Sequence, residues 1–188
     1  MADEFKKVSV FGFADAKPGE KLYQDAFETS RLLAQEGLVV VNGAGPGVMR
    51  AASEGAKAGG GKVIGVTFNP QGMSNFEGRD SKNPVDELLN LPNYAERTLK
   101  LLELGDIYVI FNGASGTVSE FGMAWGLAKL HFGHHKPLIL FGDWWHEIIE
   151  AFKKNMRIRK EALKVYQIVT SPQEAAREVI DFLDKQKK

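Results

Sequence analysis

Val41-Asn-Gly-Ala-Gly-Pro-Gly-Val-Met49 stands between a β-branched run, residues 38–41, and a stretch with helical spacing, residues 46–57. Gly43, Gly45 and Gly47 permit positive φ and close backbone approach, and Pro46 suits an early helical position. The unpaired N–H groups of the helix that follows make a site for an anion. A tight turn by itself needs fewer glycines. The stretch is not the dinucleotide fingerprint, because it follows the second apolar run rather than the first and has different spacing. It also lacks the Lys-Ser/Thr pair of a P-loop, which argues against ATP hydrolysis.

On either side of this turn the same rhythm repeats. Residues 8–13 form a short apolar run suited to a buried strand, residues 23–35 carry apolar positions at helical spacing, and residues 62–68 form a third strand with Val63, Ile64 and Val66. From 69 to 83 the chain turns to Gly, Asn, Asp, Ser and Pro without periodicity, which predicts a long loop and, in a compact domain, a candidate lid. A helix is expected at 93–104, a strand at 107–111 and a helix at 117–131. Strand–helix pairs are then expected at 138–141 with 145–155, and at 165–169 with 172–185, the last helix capped by Thr170 or Ser171 ahead of Pro172. Short strands alternating with helices predict an α/β fold. The expectation is one Rossmann-like domain over 1–188: a doubly wound, mostly parallel sheet with helices on both faces. In such sheets the ligand sits beyond the carboxyl ends of the strands, where the strand order reverses.

A second glycine-rich turn, Asn112-Gly-Ala-Ser-Gly-Thr-Val-Ser-Glu120, again joins a strand to a helix. Gly113 and Gly116 let backbone amides converge around Ala114, while Ser115 and Thr117 add hydroxyl donors. Two such turns can hold one phosphorylated ligand between them. Glu120 follows Thr117 by three residues, so Thr117-Val-Ser-Glu120 also reads as a capping box that merely starts the helix. A carboxylate in a first helical turn is expected to stay ionised and to act as a base or as an acceptor for a hydroxyl.

Gly43-Ala-Gly-Pro-Gly-Val-Met49 and Gly113-Ala-Ser-Gly-Thr-Val-Ser-Glu120 together resemble the paired motifs of the Lonely Guy (LOG) family, whose members were once widely labelled lysine decarboxylases. Val10-Phe-Gly12, Lys136-Pro137 and Ser171-Pro-Gln-Glu174 extend the resemblance over most of the chain. The resemblance implies a Rossmann-like homodimer without a cofactor. Its implied activity is phosphoribohydrolase, cleaving the N-glycosidic bond of AMP-like or cytokinin nucleoside 5′-monophosphates to free base and ribose 5-phosphate. It further implies Arg97 and Glu120 as the catalytic pair, and Gly43, Gly45, Gly47, Met49, Gly113, Ala114, Ser115, Gly116 and Thr117 as the phosphate and ribose cradle. Arg97 taken alone reads as a surface arginine of a helix. Such chemistry passes through an oxocarbenium-like centre, which an anionic carboxylate stabilises and a rigid guanidinium helps to position. The sequence departs from the family pattern at Asn112, Ala114, Thr98, Phe13 and Asp15. These changes favour the alternative of a non-catalytic nucleotide- or cofactor-binding protein.

Composition narrows the remaining classes. With 44% hydrophobic and 26% charged residues the chain is that of an ordinary globular protein, and no apolar run approaches a membrane span. Lysine plus arginine and aspartate plus glutamate number 24 each, so no positive field favours nucleic acid. There is no cysteine, which excludes thiolate catalysis and cysteine zinc sites. With an amino end that carries acid early, this gives the expectation of a cytoplasmic protein. His131-Phe-Gly-His-His135 invites a metal, but Gly133 is expected to end the helix, leaving a helix terminus that favours positive charge; no metal is assigned. Trp144 and Trp145 fit packing against the sheet or a dimer partner better than stacking on a base. The tail Lys185-Gln-Lys-Lys188 reads as a solvated helix end.

Overall fold

Short β-branched and aliphatic runs with no polar face dominate the computed structural model, which describes residues 6–70, 72–73 and 78–186. The strands are β1 (Lys7–Phe11), β2 (Val39–Asn42), β3 (Val63–Phe68), β4 (Glu87–Leu91), β5 (Ile107–Ile110), β6 (Leu138–Phe141) and β7 (Tyr166–Val169). They form one sheet in the order β4-β3-β2-β1-β5-β6-β7, every neighbouring pair parallel. Central strands of a sheet covered on both faces must be apolar throughout. β2, β5 and β6 are accordingly buried at every position, and only the edge strands β4 and β7 are largely half-exposed.

Successive residues of each strand feed opposite layers, as the period of two requires. On one face α1 (Lys21–Gln35), α2 (Val48–Ala58) and α6 (Pro172–Gln186) lay Leu33, Ala52 and Val179 over Val8, Val10 and Val40. On the other, α3 (Tyr94–Leu104), α4 (Ser115–Leu130) and α5 (Trp145–Asn155) lay Leu101, Phe121 and Ile149 over Phe11, Val41 and Ile110. The chain winds one way from β1 to β4, returns through α3 to β5 beside β1, and winds the other way to β7. The reversal therefore lies between β1 and β5. No helix among the described residues is long and apolar enough to cross a membrane.

The expected α/β, doubly wound architecture is what forms, and four local readings change. β4 lies in residues left without an element, and a 3-10 helix at Lys160–Lys164 precedes β7. Pro46 falls just outside α2, whose cap is Gly47. α4 starts at Ser115 on Ala114 rather than at Thr117, so Thr117 and Glu120 form no capping box. At α6 the expected cap is real: Ser171 Oγ accepts from Glu174 N at 3.2 Å, and Glu174 Oε2 accepts from Thr170 N at 2.8 Å. Of the loop taken as a candidate lid, residues 71 and 74–77 lie outside the described residues. Its last part is tied to the first glycine turn, with Asp80 N donating to the Ala44 carbonyl and Asn83 Nδ2 to the Gly45 carbonyl. Lys187 and Lys188 of the tail also lie outside the described residues.

Candidate functional site

At the carboxyl ends of β1 and β5 the reversal of strand order opens a cavity of about 380 Å³. Four pieces of chain wall it: Val10–Ala14, at the end of β1 and in the turn beyond; Gly43 and Met49; Tyr94 and Arg97 of α3; and residues 114–117 with Ser119 and Glu120 of α4.

The first glycine turn is shaped from beneath. Asn42 is fully buried; its Oδ1 accepts from Ala44 N and its Nδ2 donates to Ser53 Oγ, both at 2.8 Å, which holds Ala44 at φ +56°. Gly47, at φ +62°, has no room for a side chain, since a Cβ there would lie 2.3 Å from the Phe13 carbonyl oxygen. That oxygen accepts from Val48 N, while Phe13 N donates to the Asn112 carbonyl. Phe13 thus binds the two glycine turns together through its backbone.

The second turn presents donors. Ala114 supplies no side-chain cap to α4, and the helical ladder begins only with Val118 N donating to the Ala114 carbonyl. The N–H groups of Ser115, Gly116 and Thr117 therefore have no intrahelical acceptor, at the positive end of a 16-residue helix. Thr117 folds back on Gly113, where a Cβ would fall 2.1 Å from its Oγ1. Tyr94 reaches across from α3, its hydroxyl 2.9 Å from Ser119 Oγ, which in turn donates to the Gly116 carbonyl.

Arg97 and Glu120 meet on the cavity wall. They are 5% and 7% exposed, so Arg97 is not a surface arginine. Asn93 sets the start of α3 by capping Glu96 N, and from the next turn Arg97 donates through Nε to the Val66 carbonyl at 3.1 Å and through Nη1 to Glu120 Oε1 at 3.4 Å. Its Nη2 lies above Gly43, where a Cβ would stand 1.7 Å away. Burial pushes the Glu120 carboxyl up to about 7, against the opposing pull of Arg97. The carboxyl is thus not the firmly ionised group expected of a first helical turn but one that changes charge near neutral pH. Because α4 begins at Ser115, Glu120 is the sixth helical residue, beyond the turn in which free N–H groups favour the anion, and desolvation dominates.

Of the residues expected from sequence, Gly43, Met49, Arg97, Ala114, Ser115, Gly116, Thr117 and Glu120 line this one cavity. Gly45, Gly47 and Gly113 lie behind it, leaving room for Met49, for the Phe13 turn and for Thr117. Sequence reading missed Tyr94, Ser119 and Ala14, and registered Phe13 only as a departure from a pattern. Tyr94 was discoverable, since it precedes Arg97 by three residues and so shares its helix face. The histidines are elsewhere: His131, His134 and His135 border a second cavity, of about 420 Å³, between α3 and α4. Among the described residues no group of three His, Asp or Glu is arranged to hold a metal. Trp145 packs on Phe121, with ring centroids 4.6 Å apart, and Trp144 packs on Trp145, both away from the site.

Comparison with known proteins adds a family and a fold. Residues 5–176 match the model of the SLOG cluster4 family. Over 123 residues, 65% of this chain and 77% of the other, the sequence is 28% identical to an uncharacterised protein of Archaeoglobus fulgidus. The molybdenum cofactor binding protein of Rippkaea orientalis superposes with a TM-score of 0.72 at 22% identity, over 97% of this chain and 99% of that one. The Moco carrier protein of Chlamydomonas reinhardtii gives 0.68 at 22%, over 96% and 99%. DNA processing protein A of Helicobacter pylori gives 0.61 at 19%, over 94% and 80%. At these identities the likeness is one of fold.

Proposed function

The chain belongs to the SLOG cluster4 family, and on that footing we propose that it binds a phosphorylated nucleotide or nucleotide-like cofactor, with the phosphate on the amides that open α4. The family model that matches is not specifically that of the Lonely Guy family, so hydrolysis does not follow from membership. One observation carries the binding reading: an uncapped helix N-terminus opens into the same cavity as Gly43, at the switch point of a doubly wound sheet. Phe13, Met49 and Tyr94 give that cavity apolar and aromatic walls suited to a flat heterocycle. Two of the similar folds are described by a cofactor they hold, which supports a carrier or binding role over turnover.

A test follows from the space around Gly116. A Cβ there would meet only the Tyr94 hydroxyl, at 3.5 Å, so a small side chain fits without moving the backbone. Gly116→Asp is expected to fold normally and to weaken AMP binding at least about tenfold, because a carboxylate then occupies the anion's place. Calorimetric titration of both proteins decides the matter. Equal affinity in the variant overturns the proposal.

A second reading, N-glycosidic hydrolysis, draws on the Arg97–Glu120 pair inside the same cavity. A carboxyl held up near neutrality can give a proton to a departing base as well as accept one. Incubation with AMP and with an isopentenyl-adenosine monophosphate, assayed for free base, separates the two readings. Base release that disappears in Glu120→Gln supports the hydrolase; tight binding without release supports the carrier.

A further inference from the structure

Resting on the reading of this cavity as a phosphate site, we propose that the bound dianion enters together with one proton from solvent, and that Glu120 holds that proton.

The charges that face the site set up the argument. Among the described residues that line the cavity, Arg97 on α3 and Glu120 on α4 are the only charged side chains, and they are paired with each other. Tyr94 on α3 is the one other titratable group, and its hydroxyl is engaged by Ser119. The segments from β1 and from the first glycine turn contribute apolar side chains and glycine, and the rest of the α4 contribution is alanine, glycine and hydroxyls. Those lining residues thus supply no surplus cation to a doubly charged ligand.

Position makes the mismatch sharp. Gly116 and Glu120 are four residues apart on α4, about 6 Å along the helix axis. Helical side chains lean toward the N-terminus, which brings the carboxyl closer to an anion seated on the Ser115–Thr117 amides. Arg97 is held against moving in to compensate, by its bond to the Val66 carbonyl and by its seat over Gly43. Its contact with Glu120 is a long one to Oε1, weaker than a bidentate pair would be. Two like charges about one helical turn apart in a buried site favour protonation of the weaker acid. Burial already raises the Glu120 carboxyl to about 7 before a ligand arrives, so at about pH 8 the free site is ionised and ready to take up a proton.

Sulfate tests this with no titration of its own, since it keeps two charges across the neutral range. Calorimetry in two buffers of different ionisation enthalpy, at about pH 8, counts the protons taken up as sulfate binds. The wild type is expected to take up close to one proton per sulfate, and its Kd to rise about tenfold for each pH unit above about 7. Glu120→Gln is expected to take up none and to bind with a flat pH profile. Sulfate binding without proton uptake in the wild type overturns the inference and leaves the phosphate site standing. Uptake that persists in Glu120→Gln also overturns it, by placing the proton elsewhere. Failure of both sulfate and AMP to bind removes the phosphate site itself.

Discussion

A methyl group at position 43 would sit 1.7 Å from Arg97 Nη2, so glycine is what lets the guanidinium lie against the turn, and Arg97 in turn is what Glu120 faces. This three-residue dependence was half legible. The glycines announced a close approach, but what approaches at Gly43 is a buried arginine, and no local pattern names a partner 54 positions away. The pattern singles out Glu120 but not how readily it ionises, because its distance from the helix start depends on where α4 begins. The consequence is measurable without ligand. Its folded value, about 7, lies above the ordinary 4.5, so the folded protein holds this proton more tightly than the unfolded chain. That contribution to stability is complete below about 4.5 and is lost as the pH rises through about 7, roughly 3 kcal/mol in all. His135, lowered by burial, works in the opposite direction over part of this range, so the comparison is made between proteins rather than between pH values. Wild type and Glu120→Gln are expected to show urea midpoints whose difference changes between about pH 5 and about 8, the wild type losing ground at the higher pH. A constant difference would show that Glu120 does not titrate in this window.

Two segments that lead into helices, Thr117-Val-Ser-Glu120 and Ser171-Pro-Gln-Glu174, share the pattern Ser/Thr-x-x-Glu, and only one becomes a capping box. At Ser171-Pro-Gln-Glu174, Pro172 fixes the first helical φ and Ser171 stays outside the helix as its cap. At Thr117-Val-Ser-Glu120 the helix has already begun two residues earlier, and Glu120 is drawn inward to Arg97. Sequence alone ranks these two sites alike, because the deciding interaction is tertiary. β4 is hidden in the sequence for a related reason. Glu87-Leu-Leu-Asn-Leu91 mixes charged, polar and apolar residues, as an edge strand with one neighbour can, and its register against Ile64–Phe68 exists only once β3 is in place. The helix pair α1 and α2 offers a cleaner test of element packing. At Gly55 a Cβ would fall 2.0 Å from the Phe27 carbonyl oxygen, a backbone atom of the facing helix. Gly55→Ala must push α2 away from α1, outweighing the better helix propensity of alanine, and is expected to destabilise the protein by about 1–3 kcal/mol. The midpoint of urea unfolding should fall with the slope unchanged. An unchanged or raised midpoint would mean that the two helices part at no cost.

The doubly wound order follows from the apolar runs and their spacing, and it places the cavity where sheets of this kind bind ligands. What this architecture leaves unaccounted for is the outer side of α4. Phe121, Ala124 and Ala128 face the core, yet Val118 and Leu130 stand 57% and 71% exposed, with Leu127 between them and Leu99 of α3 alongside. A helix apolar on both sides is ordinarily buried on both sides. Gly122 and Gly126, one turn apart, have open space where their side chains would stand, so another backbone can come close there. We propose that a second copy of this chain covers that face, since a two-fold pairing would make α4 cross its own counterpart and bury the same apolar row twice. The expected particle in light scattering is two 20.8 kDa chains. Leu130 is too exposed to support its own core, so Leu130→Glu should keep the helical spectrum of the wild type while halving the mass, because it sets two carboxylates into an apolar contact. A wild type that runs as a monomer at micromolar concentration would leave α4 as an unexplained exposed surface and end the dimer proposal. The N-terminal turn of the same helix carries the amides proposed for the phosphate, so loosening the pair is also expected to weaken AMP binding, by less than the tenfold assigned to Gly116→Asp.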